Sequence, residues 1–379
     1  MTMEVAGLIF SNIHTSSIPE LTGVRTMASV PFGCRYRLVD FPLSNMVNSG
    51  ITKIGIITHN NYQSLMDHIG TGKDWDLARR SGGIKILPPY IAAYENNVAG
   101  KLYSNRLEAL IGAEHFVHRC KADYFVLSDC DVLMNIDLNA VIEDHVKSGA
   151  AISVVTKRVN AADYAGSFSL DVITVDENNR ITEVSRQLPE EGECDINTNV
   201  LVLGRNEILA IIADSLRKGY SSFAMDILAK NVNEKYFRAY RYEGYYSHIG
   251  TLESYFSASM DLLREDARRG LFGVKNRQIY TKLRNSAPTK YTETADVKNS
   301  LIADGCIIEG TVENSIIFRG VKVGKGCVIK NSILLQDTTV GNNVQLNCVI
   351  TDKNAMVKDG RMLSGHESMP FFIGKGMIV

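Results

Sequence analysis

A six-residue repeat in the C-terminal part of the chain limits the possible folds more than any other feature of the sequence. Aliphatic side chains recur six positions apart at Ile317, Val323, Ile329 and Leu335, and glycine or asparagine residues recur between them. One buried aliphatic residue for each flat side, with small residues at the corners, is typical of a parallel β-helix of triangular cross-section. We therefore predict a left-handed parallel β-helix over residues 296–379 rather than an irregular antiparallel domain.

The earlier part of the chain has a different pattern, in which short apolar runs alternate with helical periods. The strand-like runs are Lys53–Thr58, Tyr124–Ser128, Ile152–Thr156, Val172–Val175 and Val200–Leu203. This alternation predicts a Rossmann-like α/β domain over residues 1–250, with a mostly parallel sheet covered by helices on both faces. Sheets of this type bind ligands at the carboxyl ends of their strands.

Capping signals place two helices in this pattern. Asp137 precedes an apolar stripe that Gly149 closes, so a helix is predicted between these residues. Thr251 is the predicted N-cap of a second helix, which we expect to end at residues 265–270. The sequence that follows has no clear period. We therefore interpret residues 251–295 as a helix and an interdomain linker.

Charge, cysteine content and hydropathy exclude several classes of function. The formal net charge is −1 and no long run of Lys or Arg occurs, so no nucleic-acid partner is predicted. The seven cysteines are scattered and form no C-x-x-C pair, which indicates a reduced compartment rather than a zinc site. The first residues lack the features of a secretion signal, and no apolar run approaches membrane-spanning length. We expect a cytoplasmic protein without a membrane partner.

Four segments carry a resemblance to a known family. They are Val30-Pro31-Phe32-Gly33, Tyr36-Arg37-Leu38-Val39-Asp40-Phe41-Pro42-Leu43-Ser44-Asn45, Asn48-Ser49-Gly50-Ile51 and Ile249-Gly250-Thr251-Leu252-Glu253. Together they resemble ADP-glucose pyrophosphorylase (glucose-1-phosphate adenylyltransferase). The resemblance implies a nucleotidyltransferase domain in which the phosphate of glucose 1-phosphate attacks the α-phosphorus of ATP and releases pyrophosphate. It also implies Mg²⁺, cationic side chains on the phosphates and a loop of backbone N–H donors.

The residues that carry this chemistry in the family are mostly replaced here. The glycine-rich triphosphate loop becomes Phe10-Ser11-Asn12-Ile13-His14-Thr15, and the active-site lysine falls on Met27. The first metal-binding aspartate of the family matches Asp131, whereas the second falls on His248. Because a neutral imidazole is a poor ligand for Mg²⁺, the retention of this ion is in doubt, and Asp131 is interpreted as a relic of the metal site.

Two further segments depart from the family. The Glu-Lys pair that holds the sugar phosphate falls on Arg186-Gln187, and the Gly-Thr-Ala segment near the nucleotide falls on Asn105-Arg106-Leu107. Since several transition-state contacts are lost together, we expect little turnover. The chain therefore resembles the GlgD type of subunit, which modulates a catalytic homologous subunit, and the resemblance implies a heterotetramer. The alternatives are an active enzyme with a divergent loop and a non-enzymatic sensor of a nucleotide or sugar phosphate.

Three arginines lie in or near the first two matching segments. Arg25, Arg35 and Arg37 lie on a segment with loop character, and in the family this neighbourhood lies near a regulatory anion site between the domains. Arginine binds phosphate through directed, partly bidentate hydrogen bonds. We predict that these residues bind a phosphorylated small-molecule effector. The alternative is that they form ordinary surface or interdomain salt bridges.

Overall fold

The computed structural model describes residues 3–11, 18–58, 60–88, 103, 105–164 and 170–379. The strands of its N-terminal part are β1 (Val5–Phe10), β2 (Pro31–Phe32), β3 (Tyr36–Arg37), β4 (Lys53–Ile57), β5 (Gly83–Leu87), β6 (Tyr124–Asp129), β7 (Val132–Leu133), β8 (Ile152–Asn160), β9 (Val172–Val175), β10 (Ile181–Ser185), β11 (Glu193–Gly204), β12 (Phe237–Arg241) and β13 (Ser247–His248). The α-helices are α1 (Pro19–Thr22), α2 (Asp40–Asn48), α3 (Gln63–Ile69), α4 (Arg106–Gly112), α5 (Glu114–Arg119), α6 (Leu138–Ser148), α7 (Arg205–Lys218), α8 (Leu252–Asp261) and α9 (Glu265–Phe272). Residues 223–229 form a π-helical segment.

The described residues of the N-terminal part form a nine-stranded sheet. Strands β5, β4, β1 and β6 run parallel in this order, and β11 then pairs antiparallel with β6. At the carboxyl ends of β1 and β6, Phe10 is paired with Asp129. Since open α/β sheets bind ligands at this edge, the candidate site is expected there.

Helices cover both faces of the sheet, as the alternating pattern predicted. Helices α4, α5 and α7 pack on one face, where Leu110 and Ile208 belong to the core. Helices α2, α3 and α6 pack on the other face, with Met46 and Val141 in a second core. Gly7 allows α2 to approach β1 closely, because a Cβ atom at this position would lie 2.3 Å from the sulfur of Met46.

Both predicted helix caps are present. Asp137 caps α6, which Gly149 closes with a φ of +66°, and Thr251 caps α8 through a capping box. The end of the second helix differs from the prediction, because α8 ends before residue 265 and α9 begins there. The backbone is extended at Arg264, and two acidic residues follow in the first turn of α9, where negative charge is favourable.

The C-terminal part is a three-sided parallel β-helix. Its strands are β14 (Lys290–Tyr291), β15 (Asp296–Lys298), β16 (Leu301–Ile302), β17 (Ile307–Ile308), β18 (Thr311–Glu313), β19 (Ile316–Ile317), β20 (Lys322–Val323), β21 (Val328–Lys330), β22 (Ile333–Leu334), β23 (Thr339–Val340), β24 (Gln345–Asn347), β25 (Val349–Thr351), β26 (Met356–Val357), β27 (Met362–Ser364) and β28 (Phe371–Ile373). Every third strand belongs to the same sheet, which gives three parallel five-stranded sheets. This is the arrangement of a left-handed β-helix built from hexapeptide repeats.

The six-residue register holds for most of the interior but not at Leu335. Ile317, Val323 and Ile329 lie in the β-helix core, each at most 1% exposed. Leu334 occupies the next interior position, so the spacing contracts to five residues at this corner. Leu335 is also fully buried, but it packs in the cluster between the β-helix and the N-terminal domain. The sequence pattern alone does not distinguish these two kinds of burial.

One face of the β-helix packs against the N-terminal domain. Ile316 and Ile333 join Phe32 and Tyr255 in one apolar cluster, the interdomain cluster. The hydroxyl of Tyr255 also donates a hydrogen bond to the carbonyl oxygen of Pro31, at 2.8 Å. The two domains therefore share a packed core. None of the helices in the described ranges is long and apolar enough to span a membrane.

Candidate functional site

The carboxyl edge of the sheet brings two acidic side chains and a histidine together. Asp129 ends β6 and Asp131 follows two residues later, and both side chains are almost fully buried. Strand β13 pairs with β7 and places His248 opposite Val132. The Nε2 atom of His248 then lies 3.4 Å from the Oδ2 atom of Asp131. The two positions that match the metal-binding aspartates of the family are therefore neighbours.

Arg106 lies at the same edge, although the sequence alone predicted no role for it. It is the first residue of α4, and its side chain is 8% exposed. Its guanidinium donates a hydrogen bond to the carboxylate of Asp129 and lies 5.3 Å from the centre of the Phe10 ring. The signal in the sequence was an arginine within the segment that is Gly-Thr-Ala in the family. Its partner could not be identified from sequence, because 23 positions separate the two residues.

A second ion pair lies near the first. The Nε atom of Arg186 is 3.5 Å from Asp171 Oδ1, and an Nη atom of Arg186 donates to the hydroxyl of Ser222 at 2.7 Å. Burial raises the pKa of Asp171, while the guanidinium groups of Arg186 and Arg106 act in the opposite direction. Arg186 therefore already has an anionic partner at the position where the family holds a sugar phosphate.

These side chains do not fit a Mg²⁺ ion. Magnesium prefers oxygen ligands in nearly octahedral geometry. Here Asp129 is paired with Arg106, and Asp131 faces the imidazole of His248. No group of three or more His, Cys, Asp or Glu side chains in the described part of the chain is arranged to hold a metal ion. The described side chains at this edge therefore do not form a Mg²⁺ site.

Met27, at the position of the family's lysine, belongs to the interdomain cluster and is 2% exposed. It begins a short 3₁₀ turn, in which the N–H of Ala28 donates to the carbonyl of Ser11 at 3.2 Å. A thioether in an apolar cluster supplies no positive charge to a phosphate. Of the altered triphosphate loop, Phe10 and Ser11 are described, whereas residues 12–15 lie outside the described residues.

A narrow cleft between the domains collects basic side chains, and we call it the cationic cleft. Its lining residues are Pro31, Cys34, Arg35, Tyr36, Arg37, His68, Lys282, Arg284, Phe318, Arg319, Gln336 and Lys353. None of these residues is acidic. The cleft has a volume of about 30 Å³, which is room for about two water molecules. One oxyanion group fits such a space, while the rest of a larger ligand would remain outside.

Two cations of the cationic cleft, Lys353 and Arg37, have lowered pKa values. Burial lowers the pKa of Lys353 to about 7, and the guanidinium groups of Arg37, Arg25 and Arg284 act in the same direction, against Asp352. Burial also lowers the pKa of Arg37 to about 10. Crowded, partly dehydrated cations favour a bound anion, because the anion relieves their mutual repulsion.

Arg37 is held in the cationic cleft by the α2 and α3 region. Its backbone N–H donates to Asp40 at 3.0 Å, and its guanidinium donates to the hydroxyl of Ser64 at 2.9 Å. The other oxygen of Asp40 lies 2.6 Å from Nε2 of His68, whose pKa is lowered by burial. Arg35 is exposed at the rim, where it donates to the hydroxyl of Tyr36 at 3.2 Å.

Arg25 has a different environment from the other two predicted anion-binding arginines. It is 2% exposed, and both oxygens of Asp352 accept hydrogen bonds from its Nη2 at 2.8 Å. Its Nη1 donates to the carbonyl of Leu21 at 3.1 Å. Arg25 is not among the residues that line the cationic cleft. Its ion pair with Asp352 instead joins the N-terminal domain to the β-helix. Asp352 is the residue before Lys353.

A larger cavity lies beside β5, the edge strand of the sheet. It has a volume of about 740 Å³, and its lining extends from Glu4, Lys53 and Gly83, at the amino ends of β1, β4 and β5, to Leu87, at the carboxyl end of β5. Because its lining includes none of the residues at the family's reactive positions, such as Met27, Asp131 and His248, this cavity is not the candidate site.

Comparison with known proteins gives matches across both parts of the chain. The family described as "Nucleotidyl transferase" matches residues 18–265, and the family described as "GlmU-like, C-terminal hexapeptide" matches residues 286–368. The chain is 31% identical over 377 residues to "Glycogen biosynthesis protein GlgD" of Bacillus subtilis, a match that covers 99% of this chain and 97% of that protein.

Two proteins named "Glucose-1-phosphate adenylyltransferase" are similarly related. The one from Fervidobacterium nodosum is 31% identical over 359 residues, covering 94% of this chain and 84% of that protein. The one from Thermosipho melanesiensis is 33% identical over 328 residues, covering 86% of this chain and 78% of that protein. The resemblance found in the sequence is thereby confirmed. The chain belongs to the glucose-1-phosphate adenylyltransferase family of nucleotidyltransferases, together with the GlgD proteins.

Proposed function

We propose that this chain is a GlgD-type regulatory subunit, which binds a catalytic homologue and modulates its synthesis of ADP-glucose for glycogen. The observation that carries the proposal is the contrast between two sites. At the carboxyl edge of the sheet, Arg106 is paired with Asp129, and Met27 replaces the family's lysine. In the cationic cleft, by contrast, basic side chains gather without an acidic lining residue.

The replaced groups are those that a phosphoryl-transfer site needs most. Nucleotidyl transfer depends on cations and N–H donors that stabilise charge on the α-phosphate and on the leaving pyrophosphate. Met27 contributes no charge, and the carboxylate of Asp129 is already neutralised by Arg106. The geometry thus supports the proposal that the chain keeps the fold of the family but has little catalytic activity.

The cationic cleft supports a regulatory role because both domains contribute to it. Arg35 and Arg37 come from the N-terminal domain, Arg284 from the connecting segment, and Arg319 and Lys353 from the β-helix. An anion bound between them would hold one relative arrangement of the domains more strongly than others. Such differential binding is what an allosteric effector requires. We propose a phosphorylated small molecule as the effector and a heterotetramer with the catalytic homologue as the assembly.

The regulatory role is tested by mixing the chain with a catalytic homologue, a glucose-1-phosphate adenylyltransferase of the same family. We expect the mixture to make ADP-glucose faster than the homologue alone, or with a changed response to a panel of sugar mono- and bisphosphates. In the mixture, Arg35→Ala/Arg284→Ala should weaken the effector response by about 1–3 kcal/mol of coupling. Both side chains are exposed, so their removal should leave the fold intact.

The control is Arg80→Ala/Arg361→Ala, which removes two exposed arginines outside the cationic cleft. It changes the net charge by the same amount as Arg35→Ala/Arg284→Ala. Assembly is followed by light scattering. An intact mixed complex whose effector curves are the same in both double variants would argue against the cationic cleft as the effector site. A homologue whose activity and effector response are unchanged by this chain would contradict the regulatory role itself.

Anion affinity in the cationic cleft should depend on pH through Lys353. With a pKa of about 7, this lysine is mostly protonated at about pH 6 and mostly neutral at about pH 8.5. Sulfate keeps its charge over this range, so its affinity should fall by about tenfold as the pH rises, if a charge-assisted hydrogen bond to Lys353 is lost. Calorimetric titration measures the sulfate affinity at each pH. Lys353→Met should flatten the profile and the exposed control Lys358→Met should not; an unchanged profile in Lys353→Met would contradict this assignment.

A further inference from the structure

The carboxyl-edge site consists of Asp129, Asp131 and His248, with Arg106 beside Asp129. We propose that Arg106 is a permanent cation of this site and that it excludes divalent metal ions from it. The proposal rests on the disagreement between the side chains present and the Mg²⁺ of the family. It does not depend on the partner role, because it concerns the chain alone.

The first step is the position of Arg106. The family resemblance puts the segment around Arg106 next to the nucleotide, and α4 directs the arginine side chain to the carboxyl end of β6. There it is buried over the ring of Phe10, the last residue of β1. The ring face and the carboxylate of Asp129 hold the guanidinium from two sides. An arginine with such partners is a fixed part of the site.

The second step is the charge balance of the edge. Arg106 faces Asp129, His248 faces Asp131, and Arg186 faces Asp171. Each of these three carboxylates therefore has a nitrogen-containing side chain beside it. A dication placed on Asp129 would meet the positive charge of Arg106 at short range in a poorly hydrated environment, where repulsion between like charges is strong.

The third step is the ligand chemistry. Mg²⁺ and Mn²⁺ both bind carboxylates, but Mg²⁺ in particular needs several oxygen ligands in regular geometry. Arg106 has already taken one oxygen of Asp129. The imidazole of His248 stands where the family has a second carboxylate. Because arginine keeps its charge at all physiological pH values, a change of pH cannot free Asp129 for a metal.

The test is Mn²⁺ binding by the isolated chain, followed by the electron paramagnetic resonance signal of free Mn²⁺. The wild-type chain should show no Mn²⁺ bound at this edge. Arg106→Ala should bind one Mn²⁺ per chain, at concentrations at least about tenfold below any at which the wild type shows binding, because the competing cation is gone. Its melting temperature should be lower than that of the wild type in EDTA and should rise when Mn²⁺ is added.

Three matched variants locate the effect. Arg106→Lys keeps a cation and should exclude Mn²⁺ as the wild type does. Arg119→Ala removes an exposed arginine from α5 and should change nothing. Asp129→Asn in the Arg106→Ala background should abolish the gained Mn²⁺ binding.

Two results would overturn the proposal. One is a wild-type chain that binds one Mn²⁺ and loses it in Asp129→Asn. The other is a folded Arg106→Ala chain with no gain in Mn²⁺ binding. If Arg106→Ala does not fold, the wild-type Mn²⁺ measurement is combined with the melting temperature of the neutral double variant Arg106→Met/Asp129→Asn. This double variant should melt at a higher temperature than Asp129→Asn, which leaves Arg106 buried without its anion. A lower melting temperature would contradict the pairing.

Discussion

Purified alone, the chain is expected to make ADP-glucose at least about a thousandfold more slowly than a catalytic homologue of the family. Removal of one electrostatic contact to a transition state commonly costs about 10²–10³ in rate. Here the family's lysine is Met27, which is packed in an apolar cluster, and Asp129 is occupied by Arg106. Contacts that act as a unit are not additive when lost together, so a thousandfold is the smallest loss we expect.

The measurement is ADP-glucose and pyrophosphate formation from ATP, glucose 1-phosphate and Mg²⁺, with the catalytic homologue assayed at the same chain concentration. A thermal melt of each sample shows that the chain is folded. Any trace activity is then measured again in Asp131→Asn. Activity that this substitution leaves unchanged does not depend on the Asp131 carboxylate. Synthesis by the wild-type chain within about tenfold of the homologue would refute the catalytically deficient subunit.

The architecture could be predicted from the sequence because its signals are local and repeated. Ile317, Val323 and Ile329 are separated by one side of the β-helix, so each repeat reports the same geometry as its neighbours. Asp137 and Thr251 likewise act on residues only two or three positions away. Where the repeat contracts, at Leu334 and Leu335, the local signal was misleading, because both leucines are buried by different partners.

The candidate site could be predicted only in part, because its decisive contacts join distant residues. The pairing of β13 with β7 brings His248 next to Asp131, and the replacement of the family's aspartate was visible in the sequence. The partner of Arg106 was not visible. The partner of Arg25 is even harder to identify from the sequence, because Asp352 lies 327 positions away in the other domain. The sequence shows three nearby arginines but not which of them already has a buried carboxylate.

The lowered pKa of Lys353 has the same origin. Arg37 and Arg284, which lower it together with burial, belong to the N-terminal domain and the connecting segment, whereas Lys353 belongs to the β-helix. Only the packing of the domains creates this crowding of charge. The regulatory half of the proposal therefore depends on tertiary structure more than the catalytic half, where the replaced residues already point to loss of activity.

Ile329→Asp is expected to prevent the β-helix from folding. Ile329 is fully buried in the middle rung, and its register neighbours are Val312 on β18 and Leu346 on β24. Removal of a large aliphatic side chain from a core costs about 2–5 kcal/mol, and an unpaired buried charge adds several kcal/mol more. The sum is comparable to the whole stability of a domain, about 5–15 kcal/mol.

The matched control is Ile307→Asp on β17, in the same β-helix. Ile307 is 37% exposed, and its register neighbours are Lys290 and Lys322, so an aspartate there meets solvent and two lysines. We expect this variant to fold and melt like the wild type, while Ile329→Asp is insoluble or lacks the cooperative melting of the C-terminal part. Because each rung of a solenoid contacts only the rungs beside it, a defect in the middle separates the β-helix into two short pieces, neither of which can bury its own ends. The packing of Ile316 and Ile333 against the N-terminal domain would be lost with it. A soluble Ile329→Asp chain with wild-type melting would mean that this side chain does not lie in the core.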